Sequence, residues 1–229
     1  ALITPQGRVV RIPAREELFQ ETYDSFTVRA VIAGAKPYTS YAEVFIQLSP
    51  TQDILPAGGW ELEIKPVKVL TGIVDVYLSS SAYSTETTGF IRPESEMTLT
   101  VPATAGLVIS VGAYSAYLNS YAPFSGRGAL GMMPGIGNKP DLVAPGVNVR
   151  TVSVRGGYTT VSGTSFATPF VSGSAALMME WGILRGNDPY LYGEKLKAFL
   201  TGSARRLNGF DDLPNEKEGW GALCLANLF

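Results

Sequence analysis

The hydrophobic period of this chain changes near residue 100, and the change restricts it to two dissimilar parts. Before that point, short alternating or β-branched runs are broken by turn residues such as Pro56-Ala57-Gly58-Gly59. They predict strands at Arg8–Ile12, Phe26–Ile32, Glu43–Leu48, Trp60–Pro66, Val74–Ser79 and Met97–Val101. Many short strands without a helical period predict an antiparallel sandwich or jelly roll. A jelly roll uses about eight strands, so residues 1–100 read as part of one, in a chain that begins inside a domain.

After residue 100 the order becomes strand, loop, helix. Leu107-Val108-Ile109-Ser110-Val111-Gly112 is a continuous apolar run, the pattern of a strand buried on both faces of a parallel sheet. Bared at an edge, such a run is expected to seek a partner. A strand at Val147–Val154 follows the Ala144-Pro145-Gly146 turn. From Ser165 a helix is predicted, with Phe166, Phe170, Val171, Ala175, Leu177 and Met178 as a broad buried stripe and Gly182 or Gly186 as its end. A second helix is predicted with Asp188 as its cap and Pro189 in first place, running through Lys195–Leu200. The expected fold class is α/β, with a parallel sheet over 101–229 preceded by part of an antiparallel jelly roll over 1–100.

Composition narrows function by exclusion. The 229 residues are 45% hydrophobic and 17% charged, with a formal net charge of −2. That suits a packed globular protein and gives no basic surface to track phosphates, so nucleic acid is not an expected partner. The single Cys224 cannot form an internal disulfide and is expected to be a small buried apolar residue. No Cys/His cluster or acidic calcium loop is present, so neither metal nor cofactor is expected. No apolar run approaches the roughly 20 residues that cross a bilayer, and the first residues lack the charged-then-apolar pattern of a signal peptide. Trp60 and Tyr77 are expected to fill a sandwich core; exposed on one face, such aromatics would suggest a carbohydrate-binding module.

The chemistry-bearing segment is Ser162-Gly163-Thr164-Ser165. A glycine and small residues let the chain turn tightly from a loop into a helix, placing Ser165 at the first helical turn. Unpaired amides and the positive end of the helix dipole favour negative charge there. The Ser165 amide is a candidate oxyanion donor and the Thr164 hydroxyl a weaker second one. Yet the chain contains no histidine, and a serine hydroxyl needs a base beside it. Either the base comes from a segment not present here, or Ser165 is not a nucleophile.

The longer string Ser162-Gly163-Thr164-Ser165-Phe166-Ala167-Thr168-Pro169-Phe170-Val171-Ser172-Gly173 resembles the serine motif of the subtilisin family. Lys139-Pro140-Asp141-Leu142-Val143-Ala144-Pro145-Gly146 is similar to the strand-turn that precedes it there. Ala122-Pro123-Phe124-Ser125-Gly126-Arg127-Gly128 resembles the family's FSSxG loop, and Gly219-Trp220-Gly221-Ala222-Leu223 its closing Gly-aromatic-Gly segment. With Trp181-Gly182-Ile183 and Gly186-Asn187-Asp188-Pro189, the pattern resembles the clostridial spore-germination proteases, in which a jelly roll interrupts the peptidase domain.

The resemblance implies the C-terminal half of a three-layer serine endopeptidase domain. It implies Ser165 as nucleophile, supported by Gly163 and Thr164, with a protein or peptide as substrate. It places the catalytic Asp, His and oxyanion Asn on segments before the inserted jelly roll, so the missing N-terminal half becomes the expected partner. It further implies a spore-associated, secreted or cell-envelope setting.

Asp141, Asp188, Asp211 and Asp212 are not expected to replace the absent groups; Asp141 reads as a turn or salt-bridge residue, and Arg205-Arg206 as a solvated or ion-paired face. Lys139, Lys195 and Lys197 are the lysines a Ser–Lys dyad would draw on. The Glu-x-x-x-Asp helix of the acid-active sedolisins has no counterpart. A pseudoprotease scaffold is the competing reading.

Overall fold

Strand β4 (Phe26–Ala33) shows the alternation most clearly, with Phe26, Val28 and Ala30 buried and Arg29 and Val31 facing out. In this computed structural model, which describes residues 1–13, 18–34, 42–66, 72–78, 88–128, 138–209 and 212–226, β4 lies between β3 (Leu18–Thr22) and β5 (Glu43–Pro50) in an antiparallel sheet. A second sheet has the order β2 (Val9–Val10), β1 (Leu2–Ile3), β6 (Glu61–Leu62). Leu2 and Val10 from this sheet share a core with Phe26 and Val28. Trp60 closes it edge-on against Phe26, with ring centroids 5.2 Å apart. These residues lie in one compact unit, Ala1–Leu78; Ser79–Phe229 form another.

Several expected strands are shorter or absent. Residues 8–12 and 60–66 pair only at β2 and β6, while β3 went unread because its outward face is not alternating apolar. Residues 74–78 join neither sheet, and Ser79 lies outside the described residues. Tyr77 is accordingly 62% exposed rather than in the core. Residues 97–101 do not form a strand either; Thr98 instead donates its amide to the Arg127 carbonyl at 2.8 Å.

In the second unit, β7 (Val111–Ser115) pairs in parallel with β9 (Leu142–Pro145) and antiparallel with β8 (Ser120–Tyr121), in the order β8-β7-β9. The apolar run at 107–112 thus enters the ladder only from Val111. Its earlier carbonyls bond to lysines, and Leu107 is 77% exposed. The segment expected as one strand at 147–154 is a hairpin arm, β10 (Val149–Val152), antiparallel to β11 (Tyr158–Val161). Gly156 and Gly157, at φ +85° and +74°, make the turn between the two arms.

Helix α1 (Thr164–Met179) packs on β7 and β9 and runs on into a π-helical turn at Glu180–Leu184. Its covered stripe is Ala167, Val171, Ser174 and Met178. Phe170 and Leu177, expected inside, are 42% and 60% exposed, so the helix is buried along one line only. Helix α2 (Gly193–Gly202) begins later than expected. Asp188 does not cap it, because its carboxylate accepts the Tyr190 amide and pairs with Lys195 across a turn. That turn drives Leu191 into the core beside Gly182, where a Cβ would sit 2.8 Å from the leucine.

The loop before Trp220 is tied down by the Asn215 side-chain carbonyl, which accepts the amides of Lys217 and Glu218 at 3.0 and 2.8 Å. Glu218 is fully buried, and neither carboxylate oxygen has a partner among the described residues. Burial therefore raises its pKa from 4.5 to about 7, against the opposing charge of Lys217. The folded-state value lies above the unfolded one, so the contribution of Glu218 to stability is most favourable below pH 4.5 and is lost as pH rises through 7. Glu218→Gln is expected to raise Tm clearly at pH 8 and hardly at pH 5, checked by thermal melts at both.

Candidate active site

A buried carboxylate fixes the approach to Ser165. Asp141 Oδ2 accepts the Ser110 amide at 2.7 Å and the Lys139 ammonium at 2.6 Å, while Oδ1 pairs with Lys197 at 2.7 Å. The Asp141 amide donates back to the Ser110 carbonyl at 2.9 Å. This clasp sits one residue before the first β7–β9 pair, Val111 with Leu142, and so sets the parallel register. Both lysines also donate to the Val108 carbonyl, and Lys197 to that of Gly106. Desolvation lowers the Lys139 pKa and Lys197 adds to the effect, while Asp141 opposes it.

From that clasp β9 runs to Gly146, whose carbonyl accepts the Gly163 amide at 2.8 Å. A Cβ at Gly146 would lie 2.6 Å from that of Ala113 and 3.0 Å from the Gly163 carbonyl. The helix start can therefore approach the sheet this closely only over glycine. The β10–β11 hairpin spans the interval, and Ser162 Oγ accepts the Asn148 amide at 2.9 Å at its base. Gly163 then adopts φ +152°, ψ +158°, a conformation essentially restricted to glycine.

The chain enters α1 there with no side-chain cap. Ser165 is the second residue of the helix, exposed, and its hydroxyl has no hydrogen-bond partner among the described residues. The Thr164 and Ser165 amides likewise have none. The capping role that a Ser/Thr-rich helix start often plays is not used. Thr168 Oγ1 donates to the Thr164 carbonyl at 3.0 Å, and Pro169, within the helix, cannot donate to the carbonyl of Ser165. Hydroxyl, amides and dipole thus meet at one open point.

Other candidates are employed elsewhere. Lys139 and Lys197 hold Asp141, and Lys195 holds Asp188, so all three lysines are engaged in ion pairs. Asp141 is an ion-pair residue. Arg205 is not a solvated face: it donates to Asn119 Oδ1 and Tyr114 Oη at 2.7 and 3.1 Å, while Arg206 is exposed. Cys224 is half-buried, not fully buried. Asp211 lies outside the described residues. Among those residues no cluster of three metal-ligating side chains occurs, and no helix is long and apolar enough to cross a membrane. Two placements were not legible in the sequence: Lys197, remote from Asp141 along the chain, pairs with it, and Arg127 lines a cavity of about 490 Å³ that also touches Thr164.

Residues 88–221 match the model of the subtilase family, Peptidase S8. Over 99% of its length the chain is similar to the CspB protease of Clostridium perfringens, with 34% identity and a TM-score of 0.77, covering 47% of that chain. It is 44% identical over 59 residues to the PII-type proteinase of Lactococcus lactis subsp. cremoris, which is 26% of this chain and 3% of that protein. It is 35% identical over 135 residues to the Homo sapiens membrane-bound transcription factor site-1 protease, 58% of this chain and 12% of that one. The chain therefore spans about half of the solved relative and a small part of the curated ones.

Two substitutions test this scaffold. Gly163→Ala places a Cβ where the backbone disfavours it and is expected to cost about 1–3 kcal/mol in denaturant unfolding. Asp141→Asn leaves the buried Lys139 ammonium without its counter-charge and is expected to cost about 3–5 kcal/mol by the same measurement.

Proposed function

The chain belongs to the subtilase family, and on that premise we propose that it is the nucleophile-bearing part of a serine endopeptidase. Ser165 Oγ attacks the carbonyl carbon of a peptide bond as its proton passes to a base, the base hands that proton to the departing amine, and water hydrolyses the acyl-enzyme to a carboxylic acid and free Ser165. The Ser165 amide and the Thr164 hydroxyl face the oxygen on which negative charge develops, with Gly163 holding the turn. The observation that carries this reading is an unpartnered, exposed Ser165 hydroxyl at an uncapped helix start.

The base that accepts the Ser165 proton is not within these residues, since the sequence has no histidine and the candidate lysines are paired. We assign it, with the catalytic Asp and the oxyanion Asn, to an N-terminal half of the same protease. The exposed side of α1, with Phe170 and Leu177 uncovered, supports a partner of that kind. The substrate class is a protein or peptide.

A positioned base contributes roughly 10²- to 10⁴-fold, which a helix dipole and one amide do not replace. The chain alone is expected to show no peptidase activity and no fluorophosphonate labelling at neutral pH. Adding the N-terminal half, fused or separate, is expected to restore labelling, and Ser165→Ala to abolish it. Labelling of the chain alone would point to an unrecognised base. An unlabelled complete protein would support the pseudoprotease scaffold instead.

A further inference from the structure

We propose that Arg127 selects an acidic side chain of the substrate, held in the cavity beside the helix start; this rests on the reading of Ser165 as nucleophile. The cavity, about 490 Å³, is lined by Thr164, the residue immediately before Ser165. An extended peptide whose carbonyl carbon reaches Ser165 Oγ therefore has an adjoining side chain within reach of it. The volume lies within the range of roughly 300–1,000 Å³ usual for ligand sites.

The lining chemistry favours a carboxylate. Six lining residues carry hydroxyls, among them Ser95, Thr98 and Thr100; apolar surface comes from Leu99, Val111 and Phe124 among others; and the one full charge among the described lining residues is Arg127. Its backbone is held on both sides, the amide on Thr98 Oγ1 at 2.9 Å and the carbonyl on the Thr98 amide at 2.8 Å. Its guanidinium donates to Ser95 Oγ at 3.2 Å and lies 5.6 Å from the Tyr121 ring centroid.

Glu94 and Glu96 flank Ser95, yet neither forms an ion pair with Arg127 among the described residues. A guanidinium has five N–H donors in a planar fork that matches a carboxylate. Here it is braced by one hydroxyl and one aromatic ring, on a residue that lines a space of mixed hydroxyl and apolar surface. A lysine or arginine side chain entering the same space would meet like charge.

The test uses the chain itself and then the complete protease. The isotopically labelled chain is titrated with acetyl-Ala-Ala-Glu and acetyl-Ala-Ala-Gln, followed by the NMR signals of Arg127 Nε and the Ser95 amide. The glutamate peptide is expected to bind about tenfold more tightly, the size of one charge-assisted hydrogen bond. Arg127→Gln is expected to bring the ratio to about one, and Arg127→Lys to keep part of it. Equal binding to the unaltered chain, or a preference that survives Arg127→Gln, overturns the assignment.

In the protein completed by its N-terminal half, the same preference is expected in kcat/KM for glutamate over glutamine before the scissile bond, carried mainly by KM. Turnover without acid preference also overturns it. Absence of turnover with the binding preference intact overturns the peptidase reading, and with it substrate selection, and leaves only the carboxylate contact of Arg127.

Discussion

The second unit depends on one carboxylate held between two ammonium groups. Asp141 is almost without solvent, and Lys139 is equally buried, so each would be costly alone. Together with Lys197 they form a cluster of net charge +1 whose excess is dispersed over the carbonyls of Gly106 and Val108. Buried ion pairs often add little to stability, since desolvation offsets their attraction. The contribution here is geometric. The same carboxylate takes the Ser110 amide, so the charge cluster and the start of the parallel ladder are one structure. It also joins α2 to the sheet, because Lys197 lies on that helix. The register set at Asp141 reaches Gly146 along β9, and Gly146 receives the turn that starts α1.

Small residues then decide how closely helix and sheet approach. Ala113, Ala144 and Ala167 meet where Gly146 passes, and each added methyl would push the helix start away. Close packing on this side contrasts with the opposite side of α1, where Phe170 and Leu177 are uncovered. An amphipathic helix normally places its larger apolar residues on the covered face. Here the covered line mixes small residues, Ala167 and Ser174, with Val171 and Met178, while the larger Phe170 and Leu177 face outward.

Legibility in the sequence followed the range of the forces involved. The turn into α1 was readable because Gly163 and the run of small residues act locally; the change of period near residue 100 predicts two parts, whereas the compact units divide after Leu78. The strand at 107–112 was misplaced because its apolar character was correct but its hydrogen bonds go to Lys197 and Lys139, far along the chain. Asp188 followed by proline has the form of a helix cap, yet Lys195 and the Tyr190 amide claim its carboxylate. Glycine pairs in the β10–β11 hairpin were a local signal that went unused. Arg127 lies in the loop that resembles FSSxG, but the cavity it lines gathers residues from 95 to 164, a grouping that no local pattern specifies.

The same distinction between local and distant forces bears on how the proposed chemistry divides. Under the proposed function, part of the oxyanion stabilisation at Ser165 comes from its own amide, the Thr164 hydroxyl and the helix they open, all written within a few residues of the turn. A base must be brought to hydrogen-bond distance of Oγ by tertiary structure, and nothing near the turn in sequence specifies it. A chain bearing the first without the second is physically coherent. Parts set by local backbone geometry can form around an exposed hydroxyl. Under the proposed function, the proton acceptor comes from a separate stretch of chain, and activity is coupled to its docking. Phe170 and Leu177 lie exposed on the helix that presents Ser165, so a partner covering them would bury that surface and complete the proposed site together.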